Sequence, residues 1–180
     1  RADYGFDPDS IFTAGVSLFE TDYPSPESRR HFLTELHRGL SSLPGVTAAT
    51  LGQSLPVQRA GLRRIAIQGE SYPTEADHPR ARVAAITPGY FRTFDAGILG
   101  GRDFTDADGV ASLPVVVVNL SFVDRFFPDQ DPLGHRIRRE SQGGELTWMT
   151  IIGVVPDLYM GGYLNEEPAG IYTPLSQGDA

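Results

Sequence analysis

The first third of the chain contains two different hydrophobic periodicities. Residues 11–19 place an apolar side chain at every second position, which is typical of a half-buried strand. From Ser25, a residue type suited to a helix N-cap, apolar side chains recur at steps of three and four until Leu-Pro-Gly at 43–45 ends the pattern. Residues 46–51 and 64–68 return to strand-like patterns. The predicted order is therefore strand, helix, strand, strand.

A polar loop with two prolines, residues 69–79, separates this part from a second group of predicted elements. Strands are predicted at residues 80–87, 115–118, 135–139, 147–155 and 170–175, and short helices at 88–94 and 120–127. The four consecutive valines at 115–118 favour a central strand buried on both faces, because β-branched residues suit a covered sheet. Asn119 is placed to cap the helix that follows.

The composition excludes several classes of protein. The chain has 180 residues and 40% hydrophobic content, which is enough to bury a core. All fifteen basic residues are arginine, so there is no lysine for a phosphate loop or a Schiff base. The net charge of −8 opposes nucleic-acid binding, and the absence of cysteine excludes disulfides and thiolate chemistry. No apolar run approaches the roughly 20 residues of a membrane-spanning helix, and we expect the chain to be a fragment or a processed product.

Two short motifs resemble catalytic or metal-binding loops but depart from them at essential positions. Residues 103–109 contain three aspartates, yet in the register of a calcium loop Phe104 and Val115 occupy ligand positions. Ser54 follows a predicted strand as in a nucleophile elbow, but Pro56 replaces the glycine that lets the turn close. A solvated acidic turn and an ordinary loop serine explain these residues better.

The remaining titratable residues do not form a catalytic pattern. The four histidines lack a shared helix face or a metal-ligand spacing: His31, His37, His78 and His135. Asp157, Glu166 and Glu167 lack the apolar setting that separates the pKa values of two carboxylates. We therefore predict no catalytic residue, no metal site and no cofactor.

One loop carries apolar side chains that no core periodicity explains. The candidates for contact with a partner protein are Tyr159, Met160, Tyr163 and Leu164. Aromatic residues and methionine are enriched at protein interfaces. The alternative is that these side chains fold back as a lid over the core.

Six segments, in order, resemble the MacB-like periplasmic core domain of bacterial ABC-transporter permeases. They are residues 43–46, 86–94, 101–105, 114–134, 149–157 and 171–175. Each segment is short, but their shared order covers most of the chain from about Phe12 onward. The sequence is therefore identified as similar to the extracytoplasmic part of a MacB/FtsX-type permease.

The resemblance implies an α+β fold, a two-lobed mixed α/β domain in a single extracytoplasmic unit over residues 1–180. A porter-like lobe would comprise residues 10–70 with 146–178, and a Sabre-like lobe would be inserted at 80–145. The implied location is the periplasmic or extracellular side of the inner or plasma membrane, with attachment through helices outside this sequence.

The resemblance also implies a non-catalytic role in export or mechanotransmission. The implied partners are a second permease copy, a cytoplasmic ATPase that hydrolyses ATP, and a periplasmic adaptor or envelope cargo. Two other hypotheses remain open at this stage. One is a soluble periplasmic module that binds a small molecule or lipid, and the other is a small α/β hydrolase that uses Ser54.

Overall fold

A computed structural model describes residues 6, 8–139, 147–162, 164 and 166–177 of the chain. Seven strands lie in this part: β1 (Gly61–Ile67), β2 (Arg80–Ile86), β3 (Gly100–Gly101), β4 (Val115–Asn119), β5 (Arg136–Arg139), β6 (Met149–Val155) and β7 (Gly170–Pro174). Three α-helices accompany them: α1 (Pro26–Ser41), α2 (Tyr90–Thr93) and α3 (Leu120–Phe126). The mixed α/β architecture confirms the predicted fold class.

Six of these strands close into a barrel. The pairing order is β6, β4, β7, β2, β1 and β5, and β5 pairs again with the first residues of β6. The pairings of β2 with β7 and of β4 with β6 are parallel, whereas those of β1 with β2 and β5 are antiparallel. The short strand β3 pairs with the last part of β6, beyond the point where β5 leaves it. Closure buries the apolar residues on one face of the sheet, and α2 with neighbouring loops covers apolar residues on the other.

The two faces of the barrel wall form two hydrophobic clusters. The first cluster takes residues of β1, β2, β4, β5 and β7 together with aromatic side chains of the α3 region: Ile65, Ile67, Ala81, Val116, Val118, Phe122, Phe127, Ile137 and Ile171. The second cluster covers the opposite face under α2 and neighbouring loops: Ala84, Ile86, Tyr90, Phe91, Phe94, Val117, Leu158, Met160 and Tyr172. All five residues of β4 are buried, which confirms the prediction of a central strand.

A bulge in β6 shifts which of its side chains face each cluster. Val116 lies opposite Ile151 and Val117 lies opposite Gly153, so Ile152 is the extra residue. The alternation is reset after this point, and Val154 faces the same cluster as Ile151 while Val155 faces the other. The bulge therefore changes which side chains of β6 pack into each of the two clusters.

Glycines allow β3 to lie close against β6. A Cβ atom on Gly101 would overlap the carbonyl oxygen of Ile152, and one on Gly153 would overlap the carbonyl oxygen of Arg102. Gly101 also has a φ of +70°, a left-handed conformation that favours glycine. These two glycines form the contact that adds β3 to the sheet.

The N-terminal third differs from its prediction. Ser25 caps α1 as expected, because its Oγ accepts a hydrogen bond from the Ser28 backbone N at 3.1 Å. Residues 11–19, however, are not a strand, and residues 46–51 form none either; an isolated bridge at Gly52 joins the chain to Ile86. A strand forms when its backbone groups find a neighbouring strand, and periodicity alone does not supply one. Helix α1 buries none of its side chains.

The sheet also joins the two ranges that we expected to form separate lobes. Strands β6 and β7, from the range predicted as porter-like, pair with β4 and β2 from the range predicted as inserted. The predicted boundary between the lobes therefore does not coincide with a boundary between sheets in the described part of the chain.

Candidate contact surface

The loop between β6 and β7, residues 156–169, contains the predicted contact residues and lies against residues 55–60. The carbonyl oxygen of Tyr159 accepts a hydrogen bond from the Val57 backbone N at 2.9 Å, and that of Met160 accepts one from Ala60 N at 2.9 Å. Gly161 forms an isolated antiparallel bridge with Arg59. The first half of the loop is therefore held along its backbone.

Arginines hold the second half of the same loop. Arg59 forms an ion pair with Glu166 at 3.0 Å, and Arg125 on α3 forms one with Glu167 at 2.8 Å. Buried Arg82 donates from Nη1 to the Ala60 carbonyl at 2.9 Å and from Nη2 to the Glu166 carbonyl at 3.3 Å. Glu166 and Glu167 thus join the loop to the segment before β1, to α3 and, through the Glu166 carbonyl, to β2.

The four predicted contact residues have different environments. Met160 is 4% exposed and belongs to the hydrophobic core beneath α2, so its side chain is part of the fold in this structure. Tyr159 is half-buried, and Leu164 is 80% exposed. Tyr163 lies outside the described residues. Of the described candidates, Leu164 presents the most apolar surface to solvent, while contact by this loop stays a prediction.

The junction of β4, α3 and β7 is organised by two polar side chains. Asn119, 1% exposed, accepts hydrogen bonds from the backbone N of Phe122 at 3.0 Å and of Gly170 at 2.7 Å, and it donates to the Pro168 carbonyl at 2.7 Å. Asp157 accepts from the Ser121 backbone N at 3.0 Å and from its Oγ at 2.5 Å. Asp157 therefore stabilises the first turn of α3, where the helix dipole favours a negative charge.

The acidic turn at residues 103–109 is closed by its own contacts. Asp108 accepts from both terminal nitrogens of Arg102, at 2.7 and 2.8 Å, and from the backbone N of Thr105 at 2.8 Å. The hydrogen bonds from Arg102 lower the pKa of Asp108 to about 2 and raise the pKa of the guanidinium. In the same turn, burial raises the pKa of Asp103. Across the described residues, no group of three or more His, Cys, Asp or Glu side chains could hold a metal ion.

Three histidines contact a backbone carbonyl or an aromatic ring in the described part of the chain. His37 contacts the Ala49 carbonyl through Nε2 at 2.9 Å, and His78 contacts the Ile65 carbonyl through Nδ1 at 3.1 Å. The ring of His135 packs against Phe127 with 5.1 Å between ring centroids. These positions give the histidines roles in tethering loops to the fold.

Ser54 takes part in packing through its backbone. Its carbonyl oxygen accepts a hydrogen bond from the Tyr90 hydroxyl at 3.1 Å, and burial raises the pKa of that hydroxyl. Within the described residues, no hydrogen bond joins the Ser54 hydroxyl to a histidine or a carboxylate. The arrangement around Ser54 therefore offers no support for the hydrolase hypothesis.

A small open cleft lies beside α2. Its volume is about 210 Å³, and it is lined by Phe91, Arg92, Asp95, Ala96, Gly97, Ile98 and Asp103. Small-molecule sites typically enclose about 300–1,000 Å³. The size of this cleft therefore does not favour the hypothesis of a ligand-binding module.

The model of the MacB-like periplasmic core domain matches residues 10–180. The chain belongs to this family. This MacB-like domain is thus the periplasmic or extracellular core of an ABC-transporter permease, as the sequence resemblance implied. In the described part of the domain, no helix combines the length and apolar character needed to cross a membrane.

One solved structure supports the fold assignment, and two others show a weaker similarity. The periplasmic region of MacB from Actinobacillus actinomycetemcomitans is similar with a TM-score of 0.56 and 19% identity, over 80% of this chain and 55% of that one. A domain of a putative permease from Porphyromonas gingivalis has a TM-score of 0.49 and 17% identity, over 76% and 54% of the two chains. The extracellular domain of the noncanonic ABC-type transporter YknZ from Gram-positive bacteria has a TM-score of 0.46 and 19% identity, over 78% of this chain and 61% of that one.

This MacB-like domain therefore spans little more than half the length of the structures it resembles. A comparison with curated proteins found no significant match.

The sequence analysis missed residues that hold the loop in place. Arg82 and Asn119 fix residues 156–169 to the barrel, yet neither was assigned this role. A signal for Arg82 exists, since Arg80 and Arg82 alternate with Ala81 and Val83 along a predicted strand. The partner of a buried arginine cannot be read from that alternation, because it lies in a distant loop.

Proposed function

We propose that this domain acts by contact with other proteins, as the extracytoplasmic part of a permease that takes part in export or in transmission of movement. The proposed contacts are with a second permease copy, an adaptor or envelope cargo. ATP would be hydrolysed by a cytoplasmic ATPase. The observation that carries the proposal is an apolar surface at the N-terminal part of the chain.

The residues of this surface, called the N-terminal apolar surface, are exposed large side chains that flank α1 in the sequence: Phe12, Val16, Phe19, Leu43 and Val46. Phe12 is 93% exposed and Phe19 is 65% exposed. Single exposed apolar residues are common, but groups of them mark sites of protein contact. The apolar side chains of α1 itself are half-buried, so the exposed apolar area that this part of the domain offers a partner lies in the segments on either side of the helix.

The closed barrel supports a mechanical role. Its two hydrophobic clusters contain side chains with 0–8% exposure, and packed interiors resist deformation. Ion pairs and a hydrogen bond hold the loop at 156–169 to the segment before β1, to α3 and to β2. A displacement applied at one end of such a body is carried to the other end.

Cysteine cross-linking tests this proposal, because the chain contains no cysteine of its own. Phe12→Cys and Leu164→Cys would be made one at a time in the full-length permease within its native membrane. We expect cross-links to a protein partner from Phe12→Cys, and a changed yield when ATP is hydrolysed. Gln130→Cys, at an exposed position after α3, is the matched control.

Equal cross-linking from Phe12→Cys and Gln130→Cys would contradict a contact at the N-terminal apolar surface. The yield from Leu164→Cys tests the loop separately. A yield that ATP leaves unchanged would argue for a static contact and against transmission of movement.

A further inference from the structure

Residues 11–18 make no backbone hydrogen bond, although both ends of this segment are held. Within the described part of the chain, none of their N–H and C=O groups has a partner. At one end, Ile11 packs against the hydrophobic cluster beneath α2. At the other end, the Phe19 carbonyl accepts hydrogen bonds from the backbone N of Asp22 at 3.0 Å and of Tyr23 at 2.9 Å. A row of unpaired backbone groups between two fixed ends is a template for another strand.

The side chains of this segment have the alternation of a strand that is covered on one face. The even positions are apolar and the positions between them are small or polar: Phe12, Ala14, Val16 and Leu18 against Thr13, Gly15 and Ser17. Most of these side chains are exposed, Phe12 above all. An apolar strand face is ordinarily packed on a core. The segment therefore has a backbone and an apolar face that the described part of the chain does not cover.

The segment is complementary to itself. If two copies pair antiparallel about a two-fold axis at Gly15, apolar residues lie opposite apolar ones and polar residues opposite polar ones. The pairs are Phe12 with Leu18, Ala14 with Val16, Ile11 with Phe19, Thr13 with Ser17, and Gly15 with itself. Phenylalanine opposite isoleucine and threonine opposite serine are favourable cross-strand pairs.

Neighbouring registers break these matches. A shift by one residue sets Thr13 opposite Leu18, because it exchanges the faces of one strand relative to the other. A shift by two residues sets Phe12 opposite Glu20 in one direction and Ile11 opposite Ser17 in the other. The sequence thus selects the register centred on Gly15.

Charge favours a contact between two copies at this segment. The chain carries a net charge of −8, so two copies repel each other, but residues 10–19 contain no charged side chain. In the register centred on Gly15, Glu20 lies opposite Ser10 and Asp9 lies opposite Thr21. Over residues 9–21, no two carboxylates therefore face each other across the pair.

We propose that residues 11–19 pair antiparallel with the same residues of a second copy of the chain, in the register centred on Gly15. A second copy supplies the matching strand by symmetry. The inference deepens the proposed function and rests on it, because it assigns the second permease copy to the N-terminal apolar surface.

The area available is sufficient for a specific contact. Two copies bring four largely exposed phenylalanine side chains to it, those of Phe12 and Phe19. An aromatic side chain buries about 150–250 Å², and a specific interface needs on the order of 1,000 Å². The four rings supply roughly half of that area, and the aliphatic side chains and backbone between them add to it. Attachment of both copies to one membrane raises their effective concentration.

Cysteine pairs test the register in the full-length permease, within its native membrane and with any other cysteine replaced. Two copies of Gly15→Cys hold their Cα atoms about 5 Å apart, within the range of a disulfide. A Cβ at Gly15 meets nothing within 4 Å, so the substitution fits this domain. We expect mild oxidation to link most Gly15→Cys copies into disulfide dimers on a non-reducing gel.

Single cysteines at Thr13 and Ser17 are the matched controls. Each position lies opposite the other, so two copies of Thr13→Cys, or two of Ser17→Cys, hold their Cα atoms about 14 Å apart. Each should give a disulfide yield severalfold lower than that of Gly15→Cys. Differently tagged Thr13→Cys and Ser17→Cys copies, made in one cell, should give mixed dimers. Equal yields from the three single variants would overturn the proposal.

A charge exchange tests the same register by a different property. In the Gly15→Cys background, Ala14→Glu places a carboxylate opposite Val16 of the second copy, and Val16→Arg places a guanidinium opposite Ala14 of the second copy. Each change alone should lower the disulfide yield severalfold, and the two together should restore it, because opposite charges then face each other. Circular dichroism of the chain would establish that the variants fold. A double variant with no recovery of yield would contradict the pairing.

Other occupants of the segment give different results. If Gly15→Cys forms no disulfide while Phe12→Cys cross-links to a different protein, the self-pairing fails and the proposed function stands. If the amides of residues 11–18 resist hydrogen exchange as strongly in single permease copies in nanodiscs as in the membrane, another segment of the same polypeptide pairs with them and the inference fails. Absence of any cross-link from both Phe12→Cys and Gly15→Cys would defeat the inference and the proposed function together.

Discussion

Asp108 accepts hydrogen bonds from both terminal nitrogens of Arg102, at 2.7 and 2.8 Å, and this pair closes the turn that follows β3. The hydrogen bonds from Arg102 lower the pKa of Asp108 from 3.8 to about 2. Because the folded state lowers the pKa, the pair stabilises the fold above pH 4. That stability is lost as the pH falls through 2.

We therefore expect Asp108 to contribute about 2 kcal/mol of stability at neutral pH, since one pKa unit corresponds to about 1.4 kcal/mol. Urea unfolding of the chain and of Asp108→Asn from pH 7 to pH 2 would measure it. The difference in unfolding free energy should shrink below pH 4. Asp106→Asn removes an exposed carboxylate from the same turn and should not reproduce this trend. A pH-independent difference would contradict the assignment.

Gly153→Ala should destabilise the domain. The added Cβ would overlap the Arg102 carbonyl oxygen and push β3 away from β6. Inserting an atom where backbone cannot yield costs about 3 kcal/mol. Thermal or urea unfolding would measure the loss. Gly39→Ala within α1 meets nothing within 4 Å, so the same substitution there should stabilise by about 0.5–1 kcal/mol. Equal effects at both positions would show that close strand contact is not the cause.

Asn119→Ala should cost more than the loss of an ordinary helix cap. The substitution removes the cap of α3 and also leaves the buried Gly170 N–H without its acceptor. We expect a loss of about 3 kcal/mol. Ser25→Ala, at the exposed cap of α1, should cost about 1 kcal/mol. Chemical unfolding of the two variants compares them directly, and similar losses would mean that the Gly170 contact adds nothing.

Met160→Ala and Leu164→Ala should separate core from surface within the loop at 156–169. Met160 fills the core beneath α2, so its truncation should cost about 2–5 kcal/mol. Leu164 is exposed, and its truncation should change stability by less than about 0.5 kcal/mol. Equilibrium unfolding gives both values. A large loss for Leu164→Ala would mean that its side chain packs more closely than its exposure indicates.

Local patterns predicted those elements whose signals lie within a few neighbouring positions. The valines of β4 and the Asn119 cap of α3 were identified because β-branched runs and cap residues act over a few positions. Residues 11–19 have an equally regular alternation, yet they form no strand. Pairing depends on a neighbour distant in sequence, and a period of two does not reveal whether that neighbour exists.

The local sequence pattern also could not predict which strands pair or which partners individual side chains contact. Strand β3 consists of two glycines that interrupt the periodicity, and its existence depends on the fit of Gly101 against Ile152. Met160 was assigned to the contact residues because no core periodicity explained its place in the loop, and a loop position does not show that its side chain packs into the core. The pairing of Arg64 with Arg80 likewise arises from register, since the two residues are sixteen positions apart in the printed sequence.

The parallel pairing of β2 with β7 also determines when the domain can fold. Residues 82–86 cannot complete their strand pairing until residues 170–174 are present, because no earlier segment takes that place beside β2 in the sheet. Sheets built from such distant pairings fold slowly, since the intervening chain must lose conformational entropy before the stabilising contacts form. A chain that emerges N-terminus first therefore exposes the apolar faces of β2 and β4 until residues 170–174 are available. The interval before β7 arrives is thus when the nascent domain is most open to aggregation and most in need of a chaperone.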